Sequence, residues 1–86
     1  MSYVYILYSN KDNKLYVGFT NDLRKRISEH NAGKVRATST RIPLELIYYE
    51  AYTNEKDARE REKYYKTGWG RKFVKKILAR TLRAKI

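Results

Sequence analysis

Two tyrosines, an arginine and a histidine near the start of the chain are residues whose types and spacing could do chemistry. Tyr5 and Tyr16 each lie in a short strand-like stretch, and Arg26 and His30 follow in a basic segment. A tyrosine hydroxyl can act as a base or align a water, and an arginine can hold a phosphate. The chemistry that these residues suggest is cleavage of a phosphodiester bond.

A hairpin must bring the two tyrosines together. Residues 3–8 are rich in β-formers, and residues 15–19 alternate in the manner of a strand. The polar residues 10–13 between them predict a turn. Gly18 shares a face with Tyr16, and its missing side chain would let a backbone or a phosphate approach closely.

A short basic helix must carry the two cationic candidates. Thr20 or Asn21 can cap it, and Gly33 is a natural stop. Arg26 and His30 are four residues apart and therefore lie on one side of this helix. A lone histidine is usually structural, but this spacing also makes His30 a candidate phosphate or water ligand.

The rest of the chain predicts a third strand and two more helices. Residues 44–52 form the strand, and Asn54 caps a helix on which Glu62 falls on the stripe facing the sheet. A carboxylate there is costly unless it is paired or binds a cation. Gly68-Trp69-Gly70 would separate this helix from the last one. We therefore predict an α/β fold of one domain over residues 1–86: a small, mainly antiparallel three-stranded sheet with three helices, in the order β-β-α-β-α-α.

The order and spacing of several short motifs resemble those of the GIY-YIG nuclease family, in particular its small single-domain members. Val4-Tyr5 stands where the first motif ends, and Tyr16-Val17-Gly18 is the second motif with Val in place of Ile. Arg26 matches the helix arginine, and residues 58–66 fit the form Ala-x-x-x-Glu-x-x-x-Lys, which nominates Glu62. Tyr3 replaces the first glycine, and no convincing match to a later family asparagine lies in residues 66–76.

This resemblance implies a divalent-metal-dependent endonuclease that cleaves DNA, with DNA repair or recombination as its setting. Glu62 would hold one Mg²⁺ or Mn²⁺ ion, whose other ligands would be waters and substrate phosphate. Tyr16 would be the base or the water-aligning group, and Arg26 would steady the pentavalent phosphate. Tyr5 would position the nucleophile or the phosphate, with His30 assisting.

The charge of the chain supports a nucleic-acid partner independently of any resemblance. Twenty Lys and Arg against nine Asp and Glu give a formal net charge of +11 in 86 residues. Such a balance attracts polyanions at long range. The cations expected to contact phosphates lie in the loop of residues 34–41 and at the start of the last helix: Lys34, Arg36, Arg41, Arg71 and Lys72.

Other classes of protein are disfavoured by composition. The chain has no cysteine, so neither a disulfide-linked partner nor a thiolate metal site is expected. Its apolar runs are far shorter than the roughly 20 residues needed to span a bilayer. A signal-peptide pattern is missing, which makes the cytoplasm the default expectation.

Structural interpretations of the same residues remain open. The two tyrosines could be ordinary strand aromatics, Arg26 a solvated helix residue, and Glu62 the partner of a nearby arginine or lysine. Trp69 and Tyr64 could be core residues or could stack on exposed bases. The alternative functions are a non-catalytic nucleic-acid-binding module and, more remotely, a protein-interaction domain. Oligomeric state and the choice between DNA and RNA are not encoded in these patterns.

Overall fold

Three antiparallel strands form one sheet in a computed structural model that describes residues 1–85. The strands are β1 (Ser2–Ser9), β2 (Leu15–Thr20) and β3 (Leu44–Tyr52), in the spatial order β2-β1-β3. The helices are α1 (Leu23–Asn31), α2 (Glu55–Tyr65), α3 (Gly68–Ile77) and the short α4 (Ala79–Arg83), with a 3₁₀ turn at Arg36–Thr38. The predicted fold class and element order are confirmed.

The central strand β1 has both faces covered, because its side chains alternate between two cores. Val4 and Ile6 face α2 and α3, where they pack with Ala58, Tyr65 and Val74. On the opposite face Tyr5 and Leu7 pack with Leu44 and with Leu23 and Ile27 of α1. The sheet therefore separates α1 from α2 and α3.

A carboxylate on β3 holds α2 against the sheet. Glu50 accepts hydrogen bonds from Tyr48 at 2.7 Å, from Tyr52 at 2.5 Å and from Tyr65, and it pairs with the Arg61 guanidinium at 3.0 Å. Burial opposes ionisation here, but the hydrogen bonds from these partners prevail and lower the Glu50 pKa to about 2. A charged group in this position is tolerated because its oxygens are fully used.

Two helix boundaries differ from the sequence prediction. Asp22, rather than Thr20 or Asn21, caps α1 by accepting from the Lys25 amide. Gly68-Trp69-Gly70 does not separate helices but forms the first turn of α3, which Thr67 caps. A side chain at Gly70 would collide with the Tyr64 carbonyl oxygen, at 1.9 Å from the added Cβ, so glycine is needed for α3 to pack against α2.

The C-terminal helical stretch is divided at Leu78, between α3 and α4. Val74 and Leu78 are buried, whereas Ile77 is exposed. No helix among residues 1–85 combines the length and the apolar character needed to cross a membrane.

Candidate active site

Tyr5, Tyr16 and His30 meet on the α1 face of the sheet. The ring centroids of Tyr5 and Tyr16 lie 6.4 Å apart, and His30 approaches both edge-on, at 5.6 Å from Tyr5 and 5.2 Å from Tyr16. Tyr5 is buried, whereas Tyr16 on the edge strand is half-buried. The hairpin brings the two tyrosines together as expected, but it leaves Tyr16 as the more accessible of them.

Gly18 makes room for the ring of Tyr5. The two residues are direct cross-strand partners, and a Cβ at position 18 would lie 2.3 Å from both Cζ and the hydroxyl oxygen of Tyr5. The sequence predicted a close approach at this glycine, and the group that approaches is the phenol of Tyr5. Tyr5 thus reaches across β2 toward the outer edge of the sheet.

We expect Gly18→Ala to displace the Tyr5 ring, because real Cβ atoms essentially never come so close to other heavy atoms. Forcing a methyl into such a packed site typically costs about 1–3 kcal/mol. Chemical denaturation should show that loss, and an NMR spectrum should show a shifted His30 ring. Gly68→Ala is the matched control, because a Cβ added there meets no heavy atom within 4 Å. Parental stability in Gly18→Ala would contradict this packing.

His30 is completely buried and both of its ring nitrogens are engaged. Nε2 lies 2.7 Å from the Tyr5 hydroxyl, and Nδ1 lies 2.7 Å from Oγ1 of Thr38. The Arg26 guanidinium beside Tyr5 can only donate hydrogen bonds, so the Tyr5 hydroxyl hydrogen remains available to donate to Nε2 of His30. Because Nε2 then accepts, the ring hydrogen lies on Nδ1 and is donated to the Thr38 hydroxyl. The geometry gives His30 no access to a phosphate. It positions Tyr5.

Thr38 lies in the polar loop of residues 34–41, but the structure buries it completely in the 3₁₀ turn. Its hydroxyl fixes the His30 ring from the side opposite Tyr5. A polar residue in a loop carries no sign of burial, so the sequence could not have singled Thr38 out.

Burial, with a contribution from the Arg26 charge, lowers the pKa of His30 to about 4. The ring is therefore neutral at pH 7 in the folded protein, whereas in the unfolded chain it takes up a proton near pH 6.5. Between these two values the unfolded state binds more protons, so stability falls as the pH is lowered through this window.

We expect urea unfolding to show a stability loss on acidification from pH 7 to 4.5, amounting to at most about 3 kcal/mol. His30 is the one histidine in the chain, so the window above pH 5 reports on it with little interference from carboxylates. In His30→Gln the dependence between pH 7 and 5 should disappear. A parental midpoint that stays constant over that range would contradict a buried neutral histidine.

Arg26 places a positive charge beside the tyrosines. It projects from α1, pairs with Glu29 at 3.2 Å and remains partly exposed. Burial raises the Tyr5 pKa to about 12, although the neighbouring Arg26 guanidinium opposes the shift. Tyr5 therefore stays protonated. The exposed part of the Arg26 guanidinium is accessible to a phosphate.

Glu62 comes to this region from the other side of the sheet. It lies on the stripe of α2 that carries Ala58 and Tyr65, with its side chain 19% exposed and paired with Lys66 at 3.0 Å. Its negative charge is nevertheless close enough to contribute to the raised pKa of Tyr5, after burial and Tyr16. Tyr5 reaches over Gly18 of β2, and α2 contacts the same strand from the opposite face of the sheet.

The candidate metal ligand, Glu62, is a single carboxylate. Within residues 1–85 no three His, Asp or Glu side chains converge on one point. Glu62 is paired with Lys66, whose side chain is half-exposed. One carboxylate suits Mg²⁺, which keeps several of its waters and takes substrate oxygens as ligands.

The predicted phosphate-binding cations are placed differently from one another. Lys34 and Arg36 are exposed beside the 3₁₀ turn, and Arg71 and Lys72 are exposed on α3. Arg41 instead forms an ion pair with Asp12 at 2.6 Å and also donates to the Leu15 carbonyl, which ties its loop to the hairpin.

Comparison with known proteins identifies the family to which the chain belongs. Residues 1–76 match the family model described as the GIY-YIG catalytic domain. The chain is 48% identical over 67 residues to a UPF0213 protein of Clostridium perfringens, covering 77% of this chain and 71% of that protein. It is 44% identical over 71 residues to a UPF0213 protein of Bacillus pumilus, covering 81% and 70%. No solved structure matches. The chain belongs to the GIY-YIG family of nuclease domains.

Proposed function

We propose that this protein is a divalent-metal-dependent endonuclease that hydrolyses phosphodiester bonds in DNA. The observation that carries the proposal is the packing of the half-buried Tyr16 against Tyr5, 6.4 Å between ring centroids, with the partly exposed Arg26 guanidinium beside them. Membership of the GIY-YIG family supports the reaction class. The net charge of +11 supports a polyanionic substrate.

Tyr16 is the tyrosine suited to contact the reacting water. Tyr16 lies on the edge strand and is half-buried, whereas Tyr5 is buried and its hydroxyl is hydrogen-bonded to His30. We assign the Tyr16 hydroxyl oxygen the task of accepting a hydrogen bond from the attacking water. Tyr5 is held in place by His30, which Thr38 holds in turn. Its ring forms the buried base of the site, and its hydroxyl orients Arg26.

Arg26 and Glu62 would act on the phosphate from two sides. The Arg26 guanidinium donates to the phosphate oxygens and stabilises the negative charge that grows on them in the transition state. Glu62 would hold the Mg²⁺ or Mn²⁺ ion, which when bound polarises the phosphate and supports the leaving oxygen. For this the Lys66 ammonium must move off Glu62, and a partly exposed i,i+4 pair costs about 1 kcal/mol to separate.

We expect Tyr16→Phe to slow cleavage by about 10² or more, the usual scale of acid–base assistance, while leaving the unfolding midpoint unchanged. The substitution removes the hydroxyl and keeps the ring that packs on Tyr5 and His30. Tyr49→Phe, at an exposed tyrosine outside this cluster, is the matched control. Cleavage by Tyr16→Phe at the parental rate would show that a group other than Tyr16 contacts the attacking water.

The proposal is tested by incubating the pure protein with plasmid, branched DNA, single strands and RNA, each with Mg²⁺, Mn²⁺ or EDTA. Metal-dependent nicking that is lost in Glu62→Ala supports the endonuclease. Tight binding without cleavage under every condition would overturn it and leave the alternative, a non-catalytic nucleic-acid-binding module.

A further inference from the structure

The last part of the chain carries most of the protein's net positive charge. From Lys63 to the C-terminus there are nine Lys and Arg and no Asp or Glu, in a protein whose whole net charge is +11. The cations of α3 and α4 that point to solvent are Arg71, Lys72, Lys75, Lys76, Arg80 and Arg83. A surface of this kind matches a run of phosphates better than it matches a protein partner of mixed charge.

Trp69 is the most exposed large apolar side chain of this surface. Its side chain belongs to neither core, and the residue is 77% exposed. The Lys72 ammonium lies over the indole, 5.6 Å from the ring centroid. Tyr64 nearby is already covered by Arg61 and packs beside Phe73. An open indole flanked by cations is the arrangement on which single-stranded nucleic acids stack their bases.

The position of Trp69 is fixed relative to the candidate active site. The chain runs from Glu62 through Lys66, its ion-pair partner, and reaches Trp69 in the first turn of α3. Seven residues span at most about 25 Å, and the helical residues shorten this further. The close contact of Gly70 with the Tyr64 carbonyl keeps this turn seated on α2, so the indole is presented from a rigid element.

We propose that Trp69 is a base-stacking subsite for an unpaired nucleotide next to the scissile phosphate. This inference rests on the proposed function for the existence of a nucleic-acid substrate. A base within an intact duplex has both faces stacked on its neighbours, so it must be unpaired or extruded to reach the indole. The subsite therefore favours substrates with exposed bases over blunt duplexes.

The test uses Trp69 as its own reporter, since it is the only tryptophan in the chain. The full protein is titrated in EDTA with a single-stranded oligothymidylate, an abasic oligomer of the same length and charge, and a blunt duplex. We expect the oligothymidylate to quench the tryptophan fluorescence as it binds. The abasic oligomer and the duplex should bind through phosphates without quenching.

Affinity provides the second readout, measured by anisotropy of labelled oligomers. One stacked base contributes about 1–3 kcal/mol, so Trp69→Ala should weaken oligothymidylate binding about tenfold or more and leave the abasic oligomer unaffected. Trp69→Phe should retain most of the affinity. Tyr49→Ala, at another exposed aromatic residue, should change neither.

Three results would overturn the subsite: no binding of the oligothymidylate, binding without quenching, or an equal loss on the abasic oligomer in Trp69→Ala. An equal loss on the abasic oligomer would show that Trp69→Ala acts through the fold or the surface charge and not through base stacking. Binding without quenching would show that no base contacts the indole, which would then be available to a protein partner. Because the titration excludes metal, quenching without any cleavage in Mg²⁺ would defeat the endonuclease proposal and leave the stacking subsite standing.

Discussion

Glu62→Gln should abolish DNA cleavage while leaving DNA binding intact or slightly tighter. The amide keeps the size of the side chain but removes the charge that would hold a divalent ion, and metal assistance of several kcal/mol corresponds to about 10³-fold or more in rate. Binding should not suffer, because the change deletes a negative charge that faces a polyanion. Plasmid nicking in Mg²⁺ and a gel-shift assay in EDTA measure the two effects separately.

The matched control for Glu62 is Glu60→Gln on the same helix. Glu60 is exposed and points away from the sheet, so its replacement should alter neither cleavage nor binding beyond a small gain in affinity. Loss of the pair between Glu62 and Lys66 is not expected to unfold α2, since a pair of this kind contributes little. Parental nicking by Glu62→Gln would refute its role as the metal ligand.

Arg26→Ala is expected to reduce cleavage by about 10²–10³, with a much smaller loss of binding. The guanidinium is one of many cations in binding, but in the transition state it is the one placed beside the tyrosine pair. Arg24→Ala, an exposed position on the same helix, should cleave at the parental rate. Comparable losses in both variants would show that α1 contributes charge without a specific contact.

The same variant has a readout that does not depend on cleavage. The Arg26 charge, together with burial, lowers the pKa of His30, so removing it should move the His30 pKa upward from about 4 in an NMR titration. Arg24→Ala should leave the titration unchanged. This result would place Arg26 next to the buried Tyr5–His30 pair even in a protein that proved inactive.

The order of the elements could be predicted from sequence because the apolar pattern of each segment agrees with its final place. Residues 44–52 were expected as a strand and Asn54 as a helix cap, and both are observed. The prediction that Gly68-Trp69-Gly70 separates two helices is wrong, because both glycines lie in the first turn of α3. The cost of a glycine in a helix, about 1 kcal/mol, is outweighed by the Thr67 cap and by packing that admits no side chain.

The site was only partly predictable because burial depends on the whole fold. The hairpin pattern predicted that Tyr5 and Tyr16 would come together, but it could not show that His30 would be enclosed between Tyr5 and Thr38. Similarly, Glu62 was expected on the sheet-facing stripe of α2 with any of several cations as its partner. It pairs with Lys66, because Arg61 already forms an ion pair with Glu50 on β3.

The most direct test of the account is a crystal structure of Tyr16→Phe with a short DNA strand and Mn²⁺, in which anomalous scattering locates the ion. We expect the ion on the Glu62 carboxylate at the edge of β2, with one phosphate between it and the Arg26 guanidinium and the ring at position 16 facing that phosphate. A Mn²⁺ ion bound away from Glu62, or a phosphate that Arg26 and position 16 do not approach, would contradict the proposed active site.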